Sequence, residues 1–212
     1  MKVKIPKLVK KVYPSRIWDG PKNGKSLYLT FDDGPIPQVT PWVLEELRKY
    51  DAKATFFCIG DNVRKHPEVF RQVVAEGHAV GNHTFNHLNG WKTSSQKYLE
   101  NSLQAQHQME ESTSEEALKD QLFRPPYGKI REKQARLLRK HGFKIVMWDI
   151  ISEDYNQNLS EEKCLQNVLE NSVSGSIVVF HDSIKAEKNL KFTLPRVLEH
   201  FKEREYAFRA LP

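Results

Sequence analysis

The chain has 212 residues, of which 39% are apolar and 28% are charged, with 10 glycines and 11 prolines. This composition excludes a disordered chain, a collagen-like repeat and a membrane bundle, and it supplies enough hydrophobic mass for one large domain. The net charge of +6 is too unevenly spread for a basic nucleic-acid-binding face, so no nucleic-acid partner is expected. The two cysteines are too few for a disulfide framework, and their apolar neighbours predict that both are buried.

Positive charge is concentrated in the first 25 residues, which hold eight basic residues and one acidic residue. We interpret residues 1–25 as a basic leader, mostly solvated, and residues 26–212 as the catalytic domain. Contact of this leader with an anionic surface is an alternative interpretation. Lysines and prolines interrupt its apolar residues, so no signal peptide is visible, and no apolar run is long enough to span a bilayer. By default, this pattern assigns the chain to the cytoplasm.

From residue 26 onward, strand-like apolar runs alternate with amphipathic helical stretches. The predicted strands cover residues 27–31, 54–59, 79–81, 122–124, 144–148, 177–181 and 206–209. The predicted helices lie near residues 40–50, 67–76, 94–118, 130–141, 160–173 and 193–205. Thr40 and Ser160 are predicted to cap two of these helices, and Gly77 and Gly142 are predicted to end two others in the left-handed conformation.

This alternation is typical of an α/β protein with a mostly parallel sheet and helices outside it. At this chain length, we expect a distorted (β/α) barrel with about seven mostly parallel strands and surrounding helices. A doubly wound sheet is less favoured, because no glycine-rich dinucleotide loop follows any strand. In a parallel barrel, catalytic residues gather at the mouth formed by the carboxyl ends of the strands.

The first two stretches that carry chemistry follow predicted strands. TFDDGP at residues 30–35 holds adjacent carboxylates, Asp32 and Asp33, which point in different directions and can hold a cation and accept a proton separately. HTFNH at residues 83–87 places two histidines four residues apart, on one face of a predicted helical turn. Asp33 with His83 and His87 would form a metal site. Taken alone, the first stretch is more typical of an ordinary turn, and the second suits a pair of surface or core histidines as well as a pair of ligands.

Three further groups follow later strands. RPPYG at residues 124–128 offers Arg124, which is expected to form a bidentate pair with a carboxylate, and its prolines leave the Tyr127 N–H as a conspicuous donor. His181 ends a strongly apolar strand, where a buried imidazole needs a partner, and Asp154 is a candidate that would raise its pKa. The structural alternatives are a rigid turn with a surface arginine and a hydrogen-bonded core histidine.

Together these stretches resemble the polysaccharide deacetylases, the NodB-homology family also classed as carbohydrate esterase family 4, over residues 26–212. The matching motifs are TFDDGP, HTFNH, RPPYG, the Asp154-Tyr155 pair and VVFH, in the family's order. The resemblance implies a metal-dependent hydrolase that removes N-acetyl groups from a peptidoglycan- or chitin-like glycan. It also implies a divalent metal, usually Zn²⁺, with Co²⁺, Ni²⁺, Fe²⁺ and Mn²⁺ as alternatives.

The resemblance assigns a role to each candidate residue. The metal ligands would be Asp33, His83 and His87. Asp32 would be the general base, with Arg124 orienting it. Tyr127 would offer its backbone N–H to the oxyanion, and His181 would be the general acid, tuned by Asp154.

The chain departs from the family pattern at Ile151, Tyr155 and Val179, where an acidic residue, a tryptophan and a leucine are usual, and these changes leave the pocket shape open. A non-catalytic carbohydrate-binding protein and a hydrolase of a smaller amide are alternative functions. A phosphatase that forms an aspartyl-phosphate would need an acid at Gly34, and an iron oxygenase would have no use for the acid histidine. We expect an N-acetylated glycan as the partner and a monomeric protein.

Overall fold

The computed structural model describes residues 3–22 and 24–212. Over these residues the strands are β1 Ser26–Asp32, β2 Thr55–Cys58, β3 Ala79–Asn82, β4 Leu122–Phe123, β5 Lys144–Ile145, β6 Ile150–Ile151, β7 Ile177–His181 and β8 Ala207–Phe208. The helices are α1 Lys7–Val12, α2 Thr40–Lys49, α3 Gly60–Lys65, α4 Pro67–Ala75, α5 Ser95–Glu110, α6 Glu115–Leu118, α7 Glu132–Lys140, α8 Glu161–Leu169 and α9 Glu187–Lys202.

Seven parallel strands form a curled half-barrel in the order β5-β4-β3-β2-β1-β7-β6, and β8 pairs with the first residues of β1. Helices surround this sheet, which confirms the predicted distorted barrel. Strand β1, which lies between β2 and β7, is buried along its whole length. Its register places Asp32 opposite Phe57 in β2 and opposite His181 in β7. The two predicted proton-transfer residues therefore lie side by side at the carboxyl end of the sheet.

Alternation along β1 separates two hydrophobic layers, because successive side chains of a strand point to opposite faces. Leu27, Leu29 and Phe31 belong to the layer between the sheet and several of the helices, where the Phe31 ring stacks on those of Phe56 and Phe180. The opposite face carries Tyr28, which packs in the second layer inside the half-barrel. Fully burying one such side chain contributes about 1.5–3 kcal/mol.

Some predicted elements differ from those observed. The predicted strand at residues 144–148 ends at Ile145, and the short β6, together with α1 and α3, was not predicted. The predicted helix at 94–118 is divided into α5 and α6 around Ser112, Thr113 and Ser114, residue types that favour turns and caps over helix interiors. Both cysteines are free and buried, as expected.

Two predicted caps had different outcomes. Ser160 accepts a hydrogen bond from the Lys163 N–H at 3.2 Å, which confirms its capping role. The capping prediction for Thr40 is wrong, because Thr40 is the first residue of α2 and its hydroxyl donates to Asp182 Oδ2 at 2.6 Å. The Thr40 oxygen accepts a hydrogen bond from the Ile36 N–H at 2.8 Å, so it bonds to the preceding loop and not to an N–H of the helix.

The N-terminal segment connects the two ends of the open sheet. Ile17 forms a parallel bridge with Val146, just beyond β5, and Lys4 forms an antiparallel bridge with Ile150 in β6. The expectation of a mostly solvated leader is therefore wrong for the described residues 3–22, although α1 itself buries no residue. The division at residues 25 and 26 stays a prediction. Among the described residues, no helix is long and apolar enough to cross a membrane.

Candidate active site

The sequence-predicted site residues converge at the carboxyl edge of the sheet. Asp32 and His181 are the last residues of β1 and β7, and His83 follows β3 directly. Arg124 follows β4, and Asp154 lies three residues beyond β6. The rule that parallel strands present functional side chains at their carboxyl ends accounts for this convergence.

A carboxylate and two imidazoles form the candidate metal group. Asp33 Oδ1 lies 3.3 Å from His87 Nε2 and 3.7 Å from His83 Nε2, and the three ligand atoms lie within 4.8 Å of one another. This buried oxygen accepts no hydrogen bond from the described residues. A buried carboxylate oxygen without a donor, facing two imidazole nitrogens, fits a divalent cation.

The two histidines meet through a loop, not through the helical turn predicted from their spacing. Thr84 and His87 both have positive φ angles, 63° and 53°, which no helical turn allows. The His83 Nδ1–H donates to the Arg124 carbonyl at 2.7 Å. Because a carbonyl oxygen only accepts, His83 Nε2 carries the lone pair that faces Asp33. Burial lowers the pKa of His83 to about 4, against the opposing charge of Asp32.

Asp32 is held by an arginine that is itself completely buried. Arg124 Nη1 donates to Asp32 Oδ1 at 2.7 Å and to Thr30 Oγ1 at 2.6 Å, and Nη2 donates to the Met147 carbonyl at 2.9 Å. The expected bidentate pair is therefore a single N–H contact, because the second nitrogen points to the backbone. Burial raises the pKa of Asp32, but the charges of Arg124, His83 and His181 outweigh it and lower this pKa overall.

His181 and Asp154 form the second proton-transfer pair. The His181 Nδ1–H donates to Asp154 Oδ1 at 2.7 Å, and the His181 backbone N–H donates to Oδ2 at 2.8 Å. Burial lowers the pKa of His181, but the charge and the hydrogen bond of Asp154 outweigh it and raise the pKa to about 9. The imidazole is therefore protonated at neutral pH, with Nε2 free to donate.

A cavity of about 470 Å³ joins these groups. It is lined by Asp32, Asp33, His83, His87, Tyr127, Gly128, Lys129, Trp148, Ile151, Tyr155, Val179, His181, Ser183 and Lys185. Tyr127 has a positive φ of 59° and an exposed ring whose centroid lies 4.5 Å from that of His87. All three positions that depart from the family pattern lie on the cavity wall.

Sequence reasoning missed two side chains that contact the Asp33 segment. Asp182 is buried beside His181, accepts hydrogen bonds from the Gly34 N–H and the Thr40 hydroxyl, and has its pKa raised to about 8 by burial. Asn62 donates to the Asp33 carbonyl at 2.7 Å. The sequence contains no local signal for either contact, since both depend on how α2, α3 and β7 pack around β1.

The sequence of this chain is similar to those of several known proteins. The family model described as polysaccharide deacetylase matches residues 19–146, more than half of the chain. The chain belongs to the polysaccharide deacetylase family. A peptidoglycan-N-acetylglucosamine deacetylase from Bacillus cereus is 38% identical over 192 residues, which cover 90% of this chain and 88% of the relative. A chitooligosaccharide deacetylase from Azorhizobium caulinodans is 36% identical over 161 residues, 76% of this chain and 75% of the relative.

Solved polysaccharide deacetylases share the fold. The crystal structure of the Bc1960 peptidoglycan N-acetylglucosamine deacetylase superposes with a TM-score of 0.87 at 30% identity, over 96% of this chain and 94% of that chain. The family and the deacetylase activity class predicted from the motifs are thereby confirmed. Polysaccharide deacetylases of this family use a divalent metal, and the Asp33, His83 and His87 group is a possible place for it.

Proposed function

We propose that the cavity hydrolyses the N-acetyl amide of an amino-sugar residue in a glycan, with Asp33, His83 and His87 holding the divalent ion. One observation carries this proposal. A carboxylate oxygen with no hydrogen-bond donor among the described residues meets two imidazole nitrogens in a cavity that is also lined by a second carboxylate, Asp32, and a third imidazole, His181.

The donor set supports zinc. Two imidazole nitrogens and one carboxylate oxygen are typical of catalytic zinc sites, which leave positions open for water and substrate, and Co²⁺, Ni²⁺, Fe²⁺ and Mn²⁺ accept similar ligands. When bound, the ion supplies Lewis-acid chemistry, making water easier to deprotonate and polarising the amide carbonyl. The lowered pKa values of His83 and His87 suit this role, because only neutral imidazole offers a lone pair.

Asp32 acts as the general base. Its carboxylate lines the cavity, and the contact with Arg124 keeps it ionised at neutral pH. It takes a proton from the attacking water as the water oxygen bonds to the amide carbon. Arg124 also donates to Thr30 and to the Met147 carbonyl, and these bonds fix the direction in which the carboxylate points.

His181 acts as the general acid. As the tetrahedral carbon expels the amine, the C–N bond breaks and the nitrogen takes the proton from His181 Nε2. The products are acetate and a free amino sugar. The backbone N–H of Tyr127, a residue that lines the cavity, is assigned to the carbonyl oxygen while that oxygen carries negative charge, a contact typically worth about 10²–10³-fold in rate.

Acetate release from N-acetylglucosamine oligomers tests this function. The metal-loaded protein should release acetate, a chelator should stop the release, and added Zn²⁺ should restore it. Asp32→Asn should lower the rate by about 10²–10⁴-fold and still bind zinc. Asp120→Asn, which removes the charge of a carboxylate in a surface ion pair with Lys144, is the matched control. Full activity of Asp32→Asn, or chelator-resistant activity of the parent protein, would overturn the assignment.

We also infer a monomer, since one chain supplies every group of the site, and gel filtration tests this with a single peak at the monomer mass.

A weak contact of α1 with an anionic surface is supported by its exposed Leu8 and Val12 beside Lys7 and Lys11. Sedimentation with anionic and with neutral vesicles tests it. Equal binding to both vesicle types would contradict a charge-driven contact.

A further inference from the structure

The backbone of Asp33 has an unusual conformation. Its φ angle is 84°, in the left-handed region that residues with a Cβ rarely occupy. This conformation determines where the side chain points, because it turns the chain directly after β1 and directs the carboxylate towards His83 and His87. Some contact must hold Asp33 in this conformation.

The peptide unit between Asp33 and Gly34 is held at both ends by side chains. The Asp33 carbonyl accepts a hydrogen bond from Asn62 Nδ2 at 2.7 Å. The Gly34 N–H donates to Asp182 Oδ1 at 3.0 Å. A peptide unit is planar, so fixing its carbonyl and its N–H together fixes the rotation of the chain on either side of it. Asn62 and Asp182 thus act on the backbone of Asp33 from opposite ends of the same plane.

Both side chains are anchored away from the metal group. Asn62 lies in α3, and Ile59, directly before this helix, bonds back to the same segment through its N–H, 2.9 Å from the Gly34 carbonyl. Asp182 is buried, accepts from the Thr40 hydroxyl at the start of α2, and donates its own N–H to the Asp32 carbonyl at 3.1 Å. A Cβ placed on Gly34 would lie 2.0 Å from Asp182 Oδ2. Asp182 therefore packs directly against Gly34 and leaves no room for a side chain at that position.

We propose that Asn62 and Asp182 are positioning residues that clamp the Asp33–Gly34 peptide, keep the Asp33 carboxylate on the two histidines, and thereby set the metal affinity of the site. This inference rests on the proposed function only in taking Asp33 as a ligand. Neither side chain forms a hydrogen bond with the ligand oxygen, Asp33 Oδ1, and both act through the backbone. Without the clamp, Asp33 is free to return to a common φ region, which moves its carboxylate away from the imidazoles.

Zinc titration of the metal-stripped protein tests the clamp without using activity. Asn62→Ala removes the donor to the Asp33 carbonyl and should weaken zinc binding by about tenfold or more, while the melting temperature of the metal-free protein changes little. Asn171→Ala is the matched control, since it removes the same kind of bond, an asparagine N–H to a backbone carbonyl at 3.0 Å, far from the site. Its zinc affinity should equal that of the parent protein.

Asp182 offers a test by conservative rescue. Asp182→Asn keeps an oxygen for the Gly34 N–H and should retain zinc affinity, whereas Asp182→Ala removes it and should weaken binding. The absorption spectrum of the Co²⁺-loaded protein reports the ligand set directly, and it should change in Asn62→Ala and Asp182→Ala but not in Asp182→Asn. Should Asp182→Ala fail to fold, Asn62→Ala alone decides.

The outcomes separate the clamp from the proposed function. Unchanged zinc affinity and an unchanged cobalt spectrum in Asn62→Ala would overturn the clamp and leave the deacetylase assignment standing. A parent protein that binds zinc but releases no acetate would overturn the proposed function alone. Failure of the parent protein to bind any divalent ion would overturn both.

Discussion

His83 and His181 follow or end strands of one sheet and face one cavity, yet at neutral pH His83 is neutral and His181 is positively charged. The Nδ1–H of His83 meets a backbone carbonyl, and burial lowers the pKa of His83 to about 4. The Nδ1–H of His181 meets the buried carboxylate of Asp154, whose charge outweighs burial and raises the pKa of His181 to about 9. The partner at one ring nitrogen therefore decides whether the other nitrogen offers a lone pair or a proton.

Substitution of either histidine should have the largest effect on activity. His83→Ala and His181→Ala should both lower acetate release by at least about 10²–10⁴-fold, but for different reasons. His83→Ala removes a metal ligand, so zinc binding should weaken sharply. His181→Ala removes only the acid, so zinc binding should persist.

Calorimetric zinc titration beside the acetate assay separates the two variants. His107→Ala is the control, because His107 is an exposed histidine on α5 away from the cavity. Loss of zinc binding in His181→Ala would contradict the division of roles between the two histidines.

Asp154→Asn should change the pH profile. The folded pKa of His181 lies above that of free histidine, about 6.5, so the proton is bound up to about pH 9 and is lost as pH rises through that value. Without the carboxylate, the alkaline limb of kcat should move down towards about 6.5, which reduces the protonated fraction at pH 8 by about 30-fold.

The same substitution has a consequence for stability. The extra stabilisation from the His181 proton is complete below about pH 6.5 and disappears between about 6.5 and 9, so melting temperatures of the parent and Asp154→Asn should converge as pH rises through this window. An alkaline limb that stays near pH 9 in Asp154→Asn would show that Asp154 does not tune His181.

Tyr155→Trp should have the smallest effect of these substitutions. It changes the shape of the cavity wall beside His181 without changing its charge. The Tyr155 ring lies edge-on to His181, with centroids 5.0 Å apart, and lines the cavity. Restoring the family's usual tryptophan should change KM by about tenfold or less and leave the pH limbs in place. A shifted alkaline limb, measured as kcat against pH, would contradict this purely steric role.

Regular alternation and strand-end rules were enough to predict the fold class and the convergence of the site residues. The two-residue strand β6 and the six-residue helices α1 and α3 could not be predicted, because elements this short show no hydrophobic periodicity. The local sequence also carries no signal for the parallel pairing of β1 with β7. This pairing places Asp32 beside His181.

The site was predictable in its residues but not in its local geometry. His83 and His87 were expected on a helical turn, and two left-handed residues form a loop there in the structure. The spacing allows either arrangement, and tertiary contacts select the loop. Thr40 likewise matched a helix cap, but a carboxylate 142 residues away accepts its hydroxyl proton.

The basic N-terminal segment bridges the gap between β5 and β6, the two end strands of the half-barrel. Lys10 Nζ lies 2.7 Å from both Asp19 Oδ1 and Asp149 Oδ1, and Asp149 directly follows Trp148 of the cavity wall. The family match begins only at residue 19. A shortened version cut to that match would remove Val3, Ile5 and Ile17, which pair with the Ile151 N–H, with the Asp149 carbonyl, and with the Ile145 carbonyl and the Met147 N–H. Bare strand edges of this kind invite self-association. Expression designs should therefore keep the lysine-rich beginning of the chain.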